Sequence, residues 1–326
     1  MTSKELLSAW ADVESKAALG ANGTYLHLQV LGGDLPIGVI VRSQDGRPGL
    51  LVRFEAKDLP EMPKPRSGRG FSFERVVQFG PQSYGLPIIL GDDSDLDMFS
   101  MMGSDLIAVV EQSNGKRPAV ELVLNRIALW RQFLQRRGGH MTDDEVHGLF
   151  GELQVLGKLL VSIGPDAALD TWHGPDRDLL DFHLQESFIE VKTWRVESGS
   201  KVTISNAHQL GIDANRPIYL VAIQLSSGGA DAKTLGEQIN DLRGRIDGIL
   251  KQRFDELLAA YGYMDAQADE YPEKISVLSV SSFRVQRGFP FIDSKGLPGG
   301  VHDLRYSIEL GAMEPFRELQ PNLTLA

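Results

Sequence analysis

The sequence of 326 residues contains no cysteine. This absence excludes disulfides, thiolate nucleophiles, iron–sulfur clusters and cysteine-type zinc sites, so any metal must be held by oxygen or imidazole ligands. There is also no run of about 18 apolar residues, which a membrane-spanning helix requires. The first residues carry acidic side chains and lack the apolar segment of a secretory signal. We therefore expect a cytoplasmic protein without a membrane partner.

A basic surplus is absent as well. The net charge is -11, although hydrophobic residues make up 42% of the chain and predict a sizeable core. The first 140 residues contain 16 Lys and Arg and 16 Asp and Glu, so the whole acidic excess lies beyond them. Proteins that bind nucleic acid normally carry a basic surplus. Any contact with nucleic acid is therefore expected to be local, or shared with a partner.

The pattern of apolar residues divides the chain into four segments. Residues 1–115 contain one helix and then short β-branched and aromatic runs between Gly, Pro and Asp turns, which indicates a β-rich N-terminal domain. Residues 116–140 have the pattern of an amphipathic connecting helix. Residues 141–228 show the order α-β-β-β-α-β, and residues 229–326 an α+β C-terminal extension. The predicted fold class is mixed α/β.

The elements of the last two segments are predicted from period and caps. Thr142 and Glu145 form a capping box at the start of a helix. Strands are predicted at 168–173, 178–184 and 187–194, followed by a short helix at 205–211 and the apolar strand "PIYLVAIQL". A long amphipathic helix over 235–257 then leads to "ISVLSVSSFRV" and "LRYSIEL", which are predicted to be strands that close a sheet.

The stretch "DFHLQESFIEVKTW" (residues 181–194) has the pattern of a β-hairpin that turns at residues 185–186. Because side chains alternate along a strand, Glu190 and Lys192 share one face, and counting back across the turn places Asp181 opposite Glu190. Carboxylates in that arrangement repel each other. A shared divalent cation such as Mg²⁺ would turn the repulsion into attraction. Lys192 would stand beside the ion and offset negative charge on a phosphoryl group.

The preceding helix supplies a third acidic side chain. Glu152 lies between Leu149 and Leu156 on the stripe that is predicted to be buried. An unpaired buried carboxylate is costly, so it needs a cation too. If the helix packs across the sheet, Glu152 can reach the same ion or a second one about 3.5–4 Å away, as two-metal phosphoryl sites require.

Each of these residues also has an ordinary interpretation. A Glu-x-Lys pattern is common on exposed strands as an ion pair or a solvated surface, and Glu152 could reach water at the edge of its stripe. His183 shares the face of Asp181, where an ordinary polar strand residue is expected, and His173 in "TWHGPD" is more typical of a structural residue. The conjunction of two opposed acids, a lysine and a helix glutamate favours a catalytic site.

These residues resemble a known superfamily. Asp181, the sequence Glu190-Val191-Lys192, the preceding helix "GLFGELQVL" and the α-β-β-β-α-β order are similar to the PD-(D/E)XK phosphodiesterases, which share the restriction-endonuclease-like fold. The layout of the whole chain further resembles a bacterial group of PD-(D/E)XK family proteins associated with restriction and phage defence. The close resemblance covers residues 141–225 and is loose over the flanks.

The resemblance implies a role for each matching residue. Asp181 and Glu190 would be metal ligands, Lys192 the catalytic lysine and Glu152 the helix acid that also reaches the metal. Gln209 in "SNAHQLG" is similar to a helix glutamine of some members and would be auxiliary, although it could equally be a cap or a surface residue. The cofactor would be Mg²⁺, with Mn²⁺ as a substitute, and the substrate DNA, cut to leave a 5′-phosphate.

The sequence departs from the family pattern at one position, because Leu180 rather than proline precedes Asp181. Literal Pro-Asp pairs occur at 165–166 and 175–176, in Gly-flanked stretches. Only Asp181 falls opposite the strand glutamate, so we interpret the literal pairs as decoys. Asp178, or the aspartate of the second pair, could assist.

We predict a metal-dependent DNA endonuclease of a bacterial restriction or phage-defence system. The alternative is a catalytically silent subunit that keeps the nuclease fold and binds DNA or a defence-complex partner. The acidic charge and the missing proline favour this alternative, whereas the intact set of acids and lysine argues against it. A metal-dependent hydrolase of RNA or of a nucleotide also stays open. The expected partners are DNA, other subunits of a restriction or defence complex, and a second copy in a homodimer.

Overall fold

The computed structural model describes residues 1–17, 25–31, 37–58, 63–92, 95–111, 119–136, 139–176, 178–206, 209–211, 216–293, 297–298 and 304–323. The chain forms two compact units, Met1–Gly139 and His140–Ala326. Both units combine helices with sheets, so the predicted mixed α/β class is confirmed. The finer division into four segments stays a prediction. Among the described residues, no helix has the length and apolar character needed to cross a bilayer.

The first unit is built on an antiparallel sheet with the strand order β1-β2-β3-β7-β5-β4, in which β6 also pairs with β7. Short β-branched runs form the strands, as the alternating pattern predicts. Residues 96–111, inside the segment predicted to be β-rich, form a helix instead. The elements are α1 (Ser3–Ala17), β1 (Tyr25–Leu31), β2 (Ile37–Arg42), β3 (Pro48–Glu55), β4 (Arg66–Ser67), β5 (Phe71–Phe73), β6 (Val77–Gln78), β7 (Ser83–Leu90), α2 (Leu96–Glu111) and α3 (Ala119–Arg136).

Helix α1 packs on this sheet through one apolar stripe. Leu6, Trp10 and Val13 are buried, as helical spacing predicts. The indole nitrogen of Trp10 donates to the carbonyl of Gly49 on β3 at 2.9 Å, and its ring stacks on Phe99 of α2 with centroids 5.4 Å apart. Trp10 therefore joins α1 to both the sheet and α2.

The second unit contains a four-stranded sheet with the order β12-β11-β9-β8. Strands β9 and β11 are parallel, and the other two pairs are antiparallel. A separate antiparallel pair joins β10 to β13. The elements are α4 (Asp143–Ser162), α5 (Pro165–Thr171), β8 (Phe182–His183), β9 (Phe188–Arg195), β10 (Lys201–Ile204), β11 (Ile218–Ser227), α6 (Leu235–Arg243), α7 (Ile249–Tyr261), β12 (Ile275–Val285), β13 (Tyr306–Glu309) and α8 (Leu310–Met313).

Both faces of this sheet are covered. One apolar cluster joins Ile189 and Val191 of β9 to α4, α6 and α7. A second cluster lies on the opposite face and joins Leu220 and Ala222 of β11 to the strand pair β10 and β13. Because side chains alternate along a strand, every second residue of β9 is directed toward this second cluster. A polar side chain at those positions is therefore withdrawn from water.

Helix α4 begins at the predicted capping box, which the structure confirms. The hydroxyl of Thr142 accepts from the Glu145 amide at 3.4 Å, and the Glu145 carboxylate accepts from the Thr142 amide at 3.0 Å. The helix approaches β9 closely at Gly151, where a Cβ atom would lie 2.4 Å from a methyl carbon of Thr193. Glycine at this position lets the helix backbone lie against the strand.

The strand predicted at 168–173 is wrong, because these residues belong mainly to α5. Pro165 occupies the first helical position after Gly164, whose φ of 86° suits glycine. Trp172 then forms a single bridge to Phe182. The strand predicted at 178–184 is reduced to the two residues of β8. The described order from α4 onward is therefore α-α-β-β-β-β rather than α-β-β-β-α-β.

Three further predictions for the second unit are corrected. The long helix over 235–257 is two helices, because the chain breaks at Gly248, which has a φ of 57°, and Ile249 after it is 79% exposed. The described residues of the short helix predicted at 205–211 form no helix, and 207–208 lie outside the described residues. The strand in "LRYSIEL" pairs with β10 rather than with the central sheet. The strand in "ISVLSVSSFRV" is confirmed as β12.

Candidate active site

The β8–β9 hairpin places Asp181 opposite Glu190. Phe182 pairs with Ile189 and His183 with Phe188, and one further step in the same register pairs Asp181 with Glu190. A carboxylate oxygen of Asp181 accepts from the Val191 amide at 2.7 Å, which fixes the acid against the partner strand. The observed register is the one that the sequence predicts.

The two-residue turn of the hairpin is held at both ends. The Leu184 amide donates to the Ser187 carbonyl at 2.9 Å and closes the turn. The Arg216 guanidinium donates to the carbonyl of Leu184 and, at 3.2 Å, to that of Gln185. Its charged group also lies 4.1 Å from the centre of the Phe188 ring. These contacts fix the register and hence the opposition of the two acids.

Glu190 is completely buried and has few polar neighbours. The ammonium of Lys192 lies 2.5 Å from its Oε1 atom. The Lys192 ammonium and the backbone of Asp181 both favour the charged carboxylate, but neither contact has the geometry of a full hydrogen bond. The nearest residues on the parallel strand are Leu220, level with Glu190, and Ala222, level with Lys192. An apolar strand therefore flanks a buried carboxylate whose polar contacts come from Lys192 and the Asp181 backbone.

Glu152 projects from α4 and is held by two aromatic donors. The indole nitrogen of Trp172 donates to its Oε2 atom at 2.7 Å, and the hydroxyl of Tyr261 donates to Oε1 at 2.8 Å. Only 6% of Glu152 is exposed. A Cβ atom on Gly174 would lie 2.0 Å from Oε2, so only glycine allows the chain to pass this close to the carboxylate.

The electrostatics of the site favour protonated acids or an added cation. Burial, together with the charge of Asp181, raises the pKa of Glu190 to about 8, although Lys192 acts in the opposite direction. Burial also raises the pKa of Glu152 well above its usual value, and Asp181 adds to the rise. The pKa of Asp181 is raised by burial against the opposing charge of Lys192. Three acids therefore share the charge of one ammonium group.

Lys192 keeps its positive charge in this setting. Burial alone would lower the pKa of its ammonium, but the charges of Glu190 and Asp181 outweigh burial and raise it. About a sixth of the side chain is exposed, since its relative accessibility is 16%. The Lys192 side chain therefore keeps a little exposure to solvent, whereas the carboxylate beside it has none.

These side chains fit a divalent cation with oxygen ligands. Mg²⁺ characteristically takes one or two carboxylates and keeps several water ligands. Glu190 offers a buried carboxylate beside two further acids; burial raises the pKa of all three, and repulsion between the acids adds to the rise for Glu190 and Glu152. Which of the three acids bind the ion stays a prediction.

The other predicted residues lie apart from this cluster. Within the described residues, no hydrogen bond or ion pair joins Gln209 to the four residues; its Oε1 atom is buried without a hydrogen-bond partner. Asp166, in the first literal Pro-Asp pair, lies at the start of α5 and is exposed beside Arg253. Asp176, in the second pair, ends a short 3-10 turn, and its side chain lies outside the described residues. Asp178 is directed toward His183.

Sequence reasoning missed the two donors that hold Glu152. Trp172 follows α5 and Tyr261 ends α7, so they lie 20 and 109 residues from Glu152 along the chain. A buried tryptophan needs a hydrogen-bond acceptor for its indole nitrogen. This requirement was the signal that could have indicated a polar partner for Trp172. No signal of period or spacing singles out Tyr261.

Comparison with known proteins gives one match. The family described as "Putative PD-(D/E)XK family member, (DUF4420)" matches residues 10–311. No curated protein and no solved structure matches the chain significantly. The family match spans both compact units and includes Glu152, Asp181, Glu190 and Lys192. The chain therefore belongs to this PD-(D/E)XK family.

Proposed function

We propose that the protein is a metal-dependent DNA endonuclease that hydrolyses phosphodiesters at the site formed by Glu152, Asp181, Glu190 and Lys192. One observation carries the proposal. The completely buried Glu190 has no hydrogen bond to its oxygens, lies opposite a second acid and touches an ammonium group. One ammonium group cannot neutralise two opposed buried acids, so a further cation or a proton is needed to compensate them. Family membership supports a nuclease-like fold, and we propose a restriction-endonuclease-like core.

Each residue has a role that follows from its position. Asp181 and Glu190 would hold the ion, which when bound polarises the phosphoryl group and lowers the pKa of bound water. Lys192 keeps its proton and places a positive charge where a phosphate would gain negative charge. Trp172 and Tyr261 hold the Glu152 carboxylate, which is near enough to Asp181 and Glu190 to interact with them electrostatically. The cofactor would be Mg²⁺ or Mn²⁺, since the acids offer only oxygen ligands.

Cleavage of supercoiled plasmid by the full chain tests the proposal. We expect nicking or linearisation with Mg²⁺ or Mn²⁺ and none with EDTA. Lys192→Ala should slow cleavage by at least about 100-fold, because loss of a charge aimed at the transition state typically has that effect. Lys251→Ala is the matched control, since Lys251 is an exposed lysine on α7, and it should cut like the wild type. If wild type and Lys192→Ala leave the plasmid equally whole in every condition, including with candidate partner subunits, the proposal fails.

A second candidate is a catalytically silent subunit that binds DNA or a defence-complex partner. The concentration of the acidic excess in residues 141–326 favours it, because the unit with the site would need a partner to offset phosphate repulsion. Retention of a labelled DNA duplex without cleavage would support this candidate. The same assay with RNA and nucleotide substrates decides whether the chemistry is directed at DNA.

A further inference from the structure

A second group of potential ligands lies outside the four-residue cluster. His173, Asp178 and His183 each offer one ligand atom, and these atoms all lie within 4.8 Å of one another. His173 follows the Trp172 bridge, Asp178 belongs to the stretch before β8, and His183 is the last residue of β8. The three residues lie within eleven positions of the chain, and the stretch that leads into β8 brings their side chains together.

One of the ligand separations matches that expected around a bound transition-metal ion. The Nε2 atom of His183 lies 3.5 Å from a carboxylate oxygen of Asp178. Zinc bonds to nitrogen and oxygen of about 2.0–2.2 Å place neighbouring tetrahedral ligands roughly 3.4 Å apart. The His173 and His183 rings lie side by side with centroids 4.2 Å apart and an interplanar angle of 27°. The ligand atom of His173 lies within 4.8 Å of the other two, so the side chains would have to close in to coordinate one ion.

Contacts with the backbone and with a neighbouring aromatic ring orient the histidines. The His183 ring lies edge-on to Phe188 with centroids 4.9 Å apart, and it also hydrogen-bonds to the backbone of Leu180. Histidines that bind a metal typically use their second ring nitrogen in such a backbone contact. The His173 amide donates to the Asp181 carbonyl at 2.8 Å. This hydrogen bond holds His173 beside the residue that precedes β8.

We propose that His173, Asp178 and His183 bind a divalent ion of the zinc class, separate from the carboxylate cluster of Glu152, Asp181 and Glu190. Two imidazoles and one carboxylate suit Zn²⁺, Co²⁺ or Fe²⁺, whereas an all-carboxylate cluster suits Mg²⁺ or Mn²⁺. Three protein ligands leave at least one position for water. The ion would fasten His173 and Asp178 to β8 and so would support Asp181, which directly precedes that strand.

One charge opposes the proposed site. The guanidinium of Arg216 is near enough to His183 to interact with it electrostatically. The same guanidinium contacts the carbonyls of the β8–β9 turn and the Phe188 ring. The carboxylate of Asp178 offsets this charge, because it faces the same imidazole. The proposal does not depend on nuclease activity, since it concerns binding of an ion by other side chains.

Calorimetric titration of the tag-free full chain with Zn²⁺ in millimolar Mg²⁺ tests the proposal, because Mg²⁺ occupies an oxygen site and leaves imidazole ligands available. We expect one equivalent of Zn²⁺ to bind, and Co²⁺ in its place to give a visible absorption spectrum of nitrogen coordination. Loss of residues that only support a ligand typically weakens metal binding 10–100-fold, so His183→Gln should weaken Zn²⁺ binding by at least about 100-fold. Asp178→Asn should weaken it by about 10-fold or more.

The controls separate this site from the proposed catalytic site. His140→Gln removes an exposed histidine that pairs with Glu270 and should bind Zn²⁺ like the wild type. Glu190→Gln should keep Zn²⁺ binding even if it abolishes cleavage. Asp178 is 44% exposed, so Asp178→Asn gives a folded variant even if His183→Gln does not fold. The proposal is overturned if the Mg²⁺-saturated wild type takes up no Zn²⁺, or if Asp178→Asn and His183→Gln bind it as tightly as His140→Gln.

Discussion

At the scale of single residues, Glu190 is electrostatically unfavourable in the second unit, because its charged form is withdrawn from water. Its carboxylate is buried beside Leu220 and opposite Asp181, and the Lys192 ammonium lies against it. A protonated carboxylate avoids part of this cost, which explains the pKa of about 8. Proton and metal are therefore alternative ways of satisfying the same side chain.

This competition predicts how stability depends on pH without metal. The folded chain keeps a proton on Glu190 up to pH about 8, whereas the unfolded chain loses it near the usual value of 4.5. The folded state thus binds more protons between pH 4.5 and 8, so the free energy of unfolding falls as pH rises through this window. The slope is at most about 1.4 kcal/mol per pH unit for one proton. Urea unfolding of wild type and Glu190→Gln at pH 5, 6.5 and 8 measures it.

Glu190→Gln imitates the protonated acid and should lack this part of the pH dependence. As pH rises, the free energy of unfolding of the wild type is expected to fall more than that of the variant. Millimolar Mg²⁺ at pH 8 should stabilise the wild type and leave the variant nearly unchanged, because a ligand stabilises only the state that binds it. Parallel pH profiles for the two proteins would contradict the assignment of the raised pKa to Glu190.

At the scale of elements, the contact between α4 and β9 decides where Glu152 lies. Gly151 precedes Glu152, and a Cβ atom there would meet a methyl carbon of Thr193 at 2.4 Å. Thr193 is β-branched and its methyl group cannot swing away freely. The closeness of helix and strand therefore depends on one missing side chain.

Gly151→Ala should lower the free energy of unfolding by about 1–2 kcal/mol. Overpacking typically costs about 1–3 kcal/mol, and the better helix propensity of alanine returns up to about 1 kcal/mol. Gly148→Ala in the same helix is the matched control, because its Cβ atom would meet the Tyr261 hydroxyl at an ordinary 3.5 Å. It should be neutral or stabilising by up to about 1 kcal/mol. Equal effects of the two substitutions in thermal or urea unfolding would show that α4 can move away from β9 at little cost.

At the scale of the whole molecule, the chain consists of two compact units with different charge. Residues 1–139 and 140–326 each form a unit, and the whole acidic excess lies in the second. Each unit encloses buried apolar side chains of its own. Domains with their own cores tend to unfold as separate cooperative units.

We therefore expect two transitions in scanning calorimetry of the full chain. Gly151→Ala should lower the midpoint of one transition by several degrees and leave the other within about one degree, because its clash lies inside the second unit. Metal ions added at pH 8 should raise the midpoint of that same transition. A single transition that moves as a whole would show that the two units unfold together.

Local pattern was enough to predict much of the hairpin and of the class of fold. Alternation along "SFIEVKTW" placed Glu190 and Lys192 on one face, and the observed pairing of Phe182 with Ile189 is the predicted register. The capping box of Thr142 and Glu145 was also readable. Pattern failed at residues 168–173, where Gly164 and Pro165 start a helix although the following residues also fit a strand. Short apolar runs are ambiguous between the two states.

The sequence by itself determined the type of each side chain and its face on strand or helix, because these follow from local periodicity. Only the tertiary structure decided that Trp172 and Tyr261 hold Glu152, that Leu220 and Ala222 flank Glu190 and Lys192, and that His173 stacks on His183. These contacts join separate elements, so they depend on how helices and strands pack. Packing also set the pKa of Glu190, because desolvation is a property of the surroundings and not of the residue.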